Sequence, residues 1–174
     1  MDTEELKTRQ RPLKAKYADD PESAVVTLRA DGRASEGVSC RLEVGRALVD
    51  AGLHKAAGGD GSQACSGDML LQALVACAGV TLRAVATSLG IPVREARISA
   101  EGDLDFRGTL AVAKDVPVGF RAIRLHFAVD SDADQATLAK LIELTERYCV
   151  VLQTLRAPTP VATDWQPSGG PPNA

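Results

Sequence analysis

The residues whose types and spacing could do chemistry in this chain are two cysteines, Cys77 and Cys149, each set in a long apolar helical pattern. No Cys-x-x-Cys pair occurs, and four cysteines at irregular spacing with two histidines match no zinc pattern. A thiolate can attack a peroxide, become a sulfenic acid and condense with a second thiol as a disulfide. The two cysteines therefore fit a peroxide-consuming thiol pair better than a metal clasp, provided that the fold brings them together.

Composition bounds the class of protein. The chain has 174 residues, 45% hydrophobic and 25% charged, which fits one globular domain with a real core. Its net charge is −3, and Lys and Arg are scattered without a basic stripe, so we expect no nucleic-acid partner. The N-terminus shows no basic segment followed by an apolar core, which favours a reducing cytoplasm and free thiols.

A long helix is predicted over residues 67–89, with Ser66 as N-cap, Asp68 in the first turn, and Gly90 at the C-terminal end. Apolar residues occur nearly all round this helix, so it belongs in the middle of a fold. Its longest apolar stretch, residues 69–80, is interrupted by Gln72 and is shorter than the ~20 residues of a membrane span, so we expect no membrane. One domain covers such a helix poorly, which predicts an obligate homodimer.

A second helix is predicted from about Asp132 to Cys149, because apolar residues recur there on one face. Ser131 with Asp134 resembles a capping box at its start. The buried stripe ends on Cys149 and consists of Leu138, Leu141, Ile142, Thr145 and Cys149.

The rest of the chain reads as strands, which together with two central helices predicts an α+β fold. A turn at Asp31-Gly32 should join the first two strands, and Glu101 or Asp103 should pair with Arg121 or Arg124 across the later ones. Residues 1–21 should be a mobile segment, 22–165 the domain, and 166–174 a disordered tail. The predicted strands are 24–30, 38–44, 46–51, 98–107, 120–129 and a short one at 161–165.

The segments GDMLLQALVACAGVTL, residues 67–82, and ERYCVVLQTL, residues 146–155, resemble the central helix and the second cysteine motif of the OsmC/Ohr family. That family comprises osmotically inducible protein C and the organic hydroperoxide resistance proteins. The resemblance extends in element order from about residue 22 to 165. It implies antiparallel sheets wrapped around two central helices in an intertwined homodimer.

The resemblance also implies an activity. Cys77 would be the peroxidatic thiol and Cys149 the resolving thiol of a peroxidase that reduces organic hydroperoxides in oxidative stress defence, without metal or other cofactor. A lipoyl-type or thioredoxin-type dithiol would reduce the disulfide. Family peroxidases set an acid near the start of the long helix and an Arg from the first hairpin against the reactive sulfur. Asp68 matches the acid's neighbourhood, and Arg33 is the first choice for the cation.

Two features depart from this pattern or stay open. The family often has Pro after the second cysteine, where this chain has Val150, so the turn there could differ. Arg29 and Arg41 compete with Arg33 for the role of the cation. Without a cation beside it, burial in mid-helix would raise the pKa of the Cys77 thiol.

The other candidate groups have simpler interpretations. Cys40 should be a core residue of a strand. Cys65 is the rival nucleophile, because it lies just outside the N-terminus of the long helix, although an incidental loop cysteine is the simpler interpretation. His54 and His126 read as a loop and a strand residue, and the glycine-rich residues 58–61 as a flexible loop near the mouth of the site.

Two other functions remain open. A non-enzymatic protein of the same fold could bind an apolar ligand, or sense oxidation, at the Cys77 cleft. A cysteine hydrolase or acyl transferase would need a histidine beside Cys77.

Overall fold

A computed structural model describes residues 3–35, 39–42 and 51–165, and it describes the backbone alone within 3–7, 28–35 and 39–42. Five helices and six strands lie in these ranges, with short 3-10 turns at Pro21–Ala24 and Lys55–Ala57. The elements are α1 (Thr3–Asp19), β1 (Val25–Ser35), β2 (Ser39–Leu42), β3 (Ala51–Gly52), β4 (Ala64–Cys65), α2 (Ser66–Leu89), β5 (Glu95–Asp105), α3 (Phe106–Thr109), β6 (Phe120–Asp130), α4 (Gln135–Tyr148) and α5 (Val150–Arg156).

Four antiparallel strands form the sheet in the order β2-β1-β5-β6, and β3 pairs in parallel with β4. The predicted α+β class is confirmed. The predicted turn at Asp31-Gly32 is wrong, because β1 runs on to Ser35. Gly32 lies in the ladder between Leu42 of β2 and Ile98 of β5, so pairing on both sides supplies the backbone partners that a local turn would give up.

One face of β5 carries small side chains beneath α2. Ala96, Ile98 and Ala100 are fully buried there, while Arg97 between them is exposed on the other face. Because alanine side chains are short, the helix can lie close to the sheet. The main core joins this face to α2, α4 and α5; its buried members are Leu71, Leu74, Val75, Ala78, Leu82, Ala86, Ala96, Ile98, Ala100, Leu141, Cys149 and Leu152.

Helix α2 matches its predicted bounds within one residue. Cys65 is its N-cap and Ser66 its first residue, which corrects the prediction that Ser66 caps it. Gly90 ends the helix with a left-handed φ of 65°, as predicted. By length and composition α2 could cross a membrane, but the core helix of a soluble protein passes the same test, and seven α2 residues are buried in this core.

The second predicted helix, from about Asp132 to Cys149, corresponds to α4, and α5, which was not predicted, follows it. Cys149 separates α4 from α5 with extended backbone angles, φ −70° and ψ 104°. Helix α4 begins at Gln135 because Asp134 accepts a hydrogen bond from Thr137 N–H at 2.7 Å. Ser131 is therefore not the cap, and its hydroxyl donates to the carbonyl of Pro92.

Within the segment 1–21, which was expected to be mobile, Thr3–Asp19 form α1. Tyr17 is buried, and its hydroxyl donates to the Ala56 carbonyl at 2.9 Å. The buried ring and its hydroxyl anchor this mostly polar helix to the rest of the fold, a contact that the composition of the helix did not predict. With Tyr17, a second small core contains Ala24, Ala57, Phe106 and Leu110.

Two predicted strands have other outcomes. Residues 161–165 form no strand in the described chain, and both Val161 and Trp165 are exposed. The strand at 46–51 lies outside the described residues except for Ala51, which belongs to β3. The tail at 166–174 also lies outside them.

Candidate thiol-pair site

Cys77 and Cys149 come together between α2 and the α4–α5 junction. Both belong to the main core, Cys149 fully buried and Cys77 half-buried at its edge. The two sulfurs lie close enough together for each to shift the pKa of the other. The fold thus brings the two cysteines together, as a thiol pair requires, and both thiols are free.

The break at Cys149 exposes backbone donors at this point. The helical hydrogen-bond ladder ends with Cys149 N–H to the Thr145 carbonyl and resumes with Gln153 N–H to the Cys149 carbonyl, each at 2.9 Å. The N–H groups of residues 150–152 fall between these two bonds. Such groups at a helix start need partners from elsewhere.

Those donors act on the Cys77 sulfur. Burial acts to raise the pKa of the Cys77 thiol, but hydrogen bonds outweigh burial and hold that pKa below its usual value. They come from Val151 N–H, the Cys149 thiol, the Thr81 hydroxyl and Val150 N–H. Each stabilises the thiolate, which is the nucleophilic form.

The second sulfur has the opposite bias. Burial, together with its bond to the Cys77 sulfur and the charge there, raises the pKa of Cys149 to about 11, although backbone N–H groups of Leu152 and Val151 act in the other direction. At neutral pH the pair therefore holds one proton more firmly on Cys149 and releases one more readily from Cys77.

An apolar groove lies beside the thiols. It has a volume of about 620 Å³ and runs between the C-terminal halves of α2 and α4. Thr81, which bonds to the Cys77 sulfur, is part of its wall. Its lining consists of Val80, Thr81, Ala84, Val85, Ser88, Leu89, Leu144 and Tyr148. The size and character of the groove suit a small apolar ligand.

The candidates for the predicted cation lie on β1 and β2. Arg33 lies on β1 opposite Arg41 of β2 and Arg97 of β5, and Arg29 lies on the same strand. The side chains of Arg29, Arg33 and Arg41 lie outside the described residues, as does that of Cys40 on β2. The hydrogen bonds described above lower the pKa of Cys77 by another means.

Asp68 and Cys65 occupy the start of α2. Burial raises the pKa of Asp68, and the imidazole of His54 nearby acts in the opposite direction. Asp68 thus interacts with His54 while Cys77 lies more than two turns along the helix. Cys65 is half-buried against the main core as the α2 N-cap, which agrees with its predicted place just outside the helix.

Both histidines lie away from the thiols. His54 accepts a hydrogen bond from Ala56 N–H at 3.0 Å and stacks on Phe106 with ring centroids 5.1 Å apart. His126 is exposed on β6 opposite Ser99, on the sheet face away from α2. This arrangement gives a cysteine hydrolase no support.

The glycine-rich residues 58–61 are in part a packed turn. Gly58 is buried with φ 93°, and a Cβ there would meet Gln10 of α1 at 3.2 Å. The expected flexibility is therefore wrong for Gly58, because α1 packs against it. In the described ranges, no three His, Cys, Asp or Glu residues cluster as a metal site.

The sequence analysis missed the groups that surround the Cys77 sulfur. Thr81 follows Cys77 by four residues, so the helical spacing places the two side chains on one face and could have identified it. The backbone donors at residues 150 and 151 had no such signal, because the apolar stripe ends at Cys149 and a pattern of side chains does not show which main-chain N–H groups lack a helical partner.

The comparisons with known proteins agree with this fold. The profile described as OsmC-like protein matches residues 59–164, more than half of the chain, so the chain belongs to the OsmC-like family and the resemblance is confirmed. No curated protein matches the sequence significantly.

Two solved structures share the architecture. An OsmC-like hydroperoxide resistance protein from Jannaschia sp. CCS1 is 17% identical with a TM-score of 0.63, covering 84% of this chain and 97% of that one. An OsmC-like protein from Mycoplasma pneumoniae is also 17% identical, with a TM-score of 0.53, covering 77% and 86%. At this identity the likeness establishes the fold.

Proposed function

We propose that this protein is a thiol-dependent peroxidase that reduces organic hydroperoxides through Cys77 and Cys149. The observation that carries the proposal is the placement of Cys77 and Cys149 in one core, close enough for each sulfur to shift the pKa of the other, with the pKa of Cys77 lowered and that of Cys149 raised. The hydroperoxide resistance protein from Jannaschia, a structural neighbour, supports it at the level of the fold.

The reaction has three steps. The Cys77 thiolate attacks the distal peroxide oxygen, the O–O bond breaks, and the alkoxide takes up a proton to leave as an alcohol. Cys149 then attacks the sulfenic sulfur of Cys77, and the hydroxyl group leaves as water with the Cys149 proton. An external dithiol, of the lipoyl or thioredoxin type, restores both thiols by disulfide exchange.

The apolar groove supports an organic substrate over hydrogen peroxide. It adjoins Thr81 and so ends beside the Cys77 sulfur, where the alkyl group of a hydroperoxide can be sheltered from water. Hydrogen peroxide has no alkyl group and gains nothing from such a surface.

A homodimer is part of the same proposal. Helix α2 keeps an exposed apolar side on which Met69 and Val80 align, with Leu70 beside it. Large apolar side chains along one exposed helix side are typical of a surface that a second protein covers. A second copy of the chain is the partner that the family resemblance implies.

Stopped-flow reaction of the reduced protein with cumene hydroperoxide tests the proposal. The Cys77→Ser variant should consume none, and Cys149→Ser should stop at the sulfenic acid, with products assigned by mass spectrometry. Cys65→Ser is the matched control and should behave as wild type. A wild-type rate no faster than free cysteine would exclude the peroxidase and leave an apolar-ligand binder as the better account.

A further inference from the structure

The carbonyl of Glu146 has an unusual partner. In a continuous helix this carbonyl would accept a hydrogen bond from Val150 N–H, one turn further on. Here the ladder breaks at Cys149, and the side-chain amide of Gln153 donates to the Glu146 carbonyl at 2.8 Å instead. The amide thus satisfies the carbonyl that the break leaves without its helical partner.

Glu146 makes a second contact across the break, through its side chain. Arg156 Nη2 lies 2.9 Å from Glu146 Oε2, which ties the last turn of α5 to the last turn of α4. Both side chains are partly exposed, so this ion pair adds modestly to the amide contact. The two contacts form a clasp of Glu146, Gln153 and Arg156 across the break.

Nothing in the residue at position 150 enforces the break. Valine keeps its N–H and can adopt helical angles, so α4 could run on through Cys149 into α5. That continuous helix would give Val150 N–H back to Glu146 and turn it away from Cys77. A proline there would forbid it, because its ring clashes with the carbonyl four residues earlier.

We propose that Gln153 is a positioning residue for the thiol pair: by occupying the Glu146 carbonyl it holds the α4–α5 break open and aims Val150 N–H and Val151 N–H at the Cys77 sulfur. The inference rests on the proposed function in taking Cys77 as the reacting thiol. Gln153 touches neither sulfur. It acts through the backbone between them.

The test is the pH profile of Cys77 alkylation by iodoacetamide, followed on the Cys77 peptide by mass spectrometry. Gln153→Leu removes the amide from an exposed position, and we expect the midpoint to move to higher pH, with alkylation at pH 7 slower by about threefold to tenfold. Gln135→Leu, at another exposed position on α4, is the matched control and should leave the profile unchanged.

A double-mutant cycle with Val150→Pro separates positioning from a general structural effect. Proline fixes the break by itself, and Cys149 already has the extended backbone that a residue before proline prefers. Proline also removes the N–H at position 150, so this background starts from a higher midpoint for Cys77, and the quantity compared is the further shift that Gln153→Leu adds. Gln153→Leu should therefore shift the profile in the wild-type background and have little effect in the Val150→Pro background. An equal shift in both backgrounds, or none in either, would overturn the proposal. Since alkylation needs no peroxide, a failed peroxidase assay would leave this result standing.

Discussion

The sulfurs of Cys77 and Cys149 lie close enough for each to shift the pKa of the other, and the pKa of Cys77 is lowered while that of Cys149 is raised. Cys77, at the edge of the core, accepts further hydrogen bonds from the α5 backbone and from α2. Cys149 is fully buried beneath it. The different surroundings thus make Cys77 the more readily ionised thiol and Cys149 the less readily ionised one, although both residues carry the same functional group.

The pH dependence of alkylation should distinguish the two thiols. Because the pKa of Cys77 is lowered, its alkylation should rise at lower pH than that of free cysteine and level off above that pKa. Cys149, with a pKa of about 11, should stay protonated and unreactive through neutral pH. Peptide mapping after iodoacetamide labelling at pH 6 to 10 measures both. Preferential labelling of Cys149 would contradict the assignment.

Thr81→Val should raise the pKa of Cys77, because it removes a hydroxyl that stabilises the thiolate while keeping the volume of the side chain. We expect alkylation of Cys77 at pH 7 to slow by about threefold, corresponding to roughly half a pKa unit. Thr87→Val, at an exposed site on the same helix, should have no such effect. An unchanged profile in Thr81→Val would show that the hydroxyl contributes nothing.

Gly102→Ala should destabilise the sheet. A Cβ at this buried position of β5 would lie 2.4 Å from Phe120 Cε1 and 2.6 Å from Phe120 Cδ1, so the ring must move. Overpacking of this kind costs about 1–3 kcal/mol in the free energy of unfolding. Gly119→Ala is the control, because a Cβ there meets nothing within 4 Å. Urea denaturation of the two variants should separate them clearly.

Asp105→Asn should cost stability at neutral pH by about 2–3 kcal/mol, because it breaks a buried ion pair. The carboxylate is buried and bonds both Nε of Arg107, at 3.0 Å, and the Arg107 backbone N–H, at 3.1 Å. Hydrogen bonds from Arg107 outweigh burial and hold the pKa of Asp105 below its usual value.

The sign of the pH effect follows from that lowered pKa. The stabilisation by Asp105 is present above the unfolded-state pKa, about 3.9, and is lost as pH falls through the lower folded-state pKa. Denaturation between pH 5 and 2 should therefore show a shallower loss of stability for Asp105→Asn than for wild type. Parallel curves would mean that Asp105 has the same pKa in the native and unfolded states.

The proposed dimer should depend on the exposed side of α2. Val80→Glu places a charge in the middle of that side and should give a monomer in sedimentation velocity at micromolar concentration, where the wild type sediments as a dimer. Val118→Glu is the control, since Val118 is more exposed, at 64%, and lies in the loop before β6. A monomeric wild type would refute the dimer.

Much of the fold follows from periodicity. The strand alternation from Ile98 and the apolar pattern of α2 predicted β5 and the central helix, because burial on one face leaves a repeating trace in the sequence. Arg124 lies opposite Glu101 on the outer face, and its Nη1 reaches Asp103 at 2.6 Å, as predicted for that face. Helix α1 left no such trace, since a few side chains such as Tyr17 and Gln10 anchor a mostly polar segment.

The site was predictable in its side chains and not in its backbone. Cys77 and Cys149 are distinctive residue types in recognisable segments, so sequence could identify them. The break between α4 and α5 depends on contacts such as Gln153 to Glu146, which have no signature in a pattern of apolar residues. The backbone donors at this break therefore could not be predicted from the sequence.

Two of the groups that hold the Cys77 thiolate are main-chain amides, and this has a consequence for how the protein tolerates genetic change. A substitution at Val150 or Val151 alters a side chain and leaves the N–H in place, with proline as the exception. Val150 is also largely exposed, so its side chain can vary at little cost. Because main-chain groups supply these contacts, most point mutations at positions 150 and 151 should leave the reactivity of Cys77 unchanged.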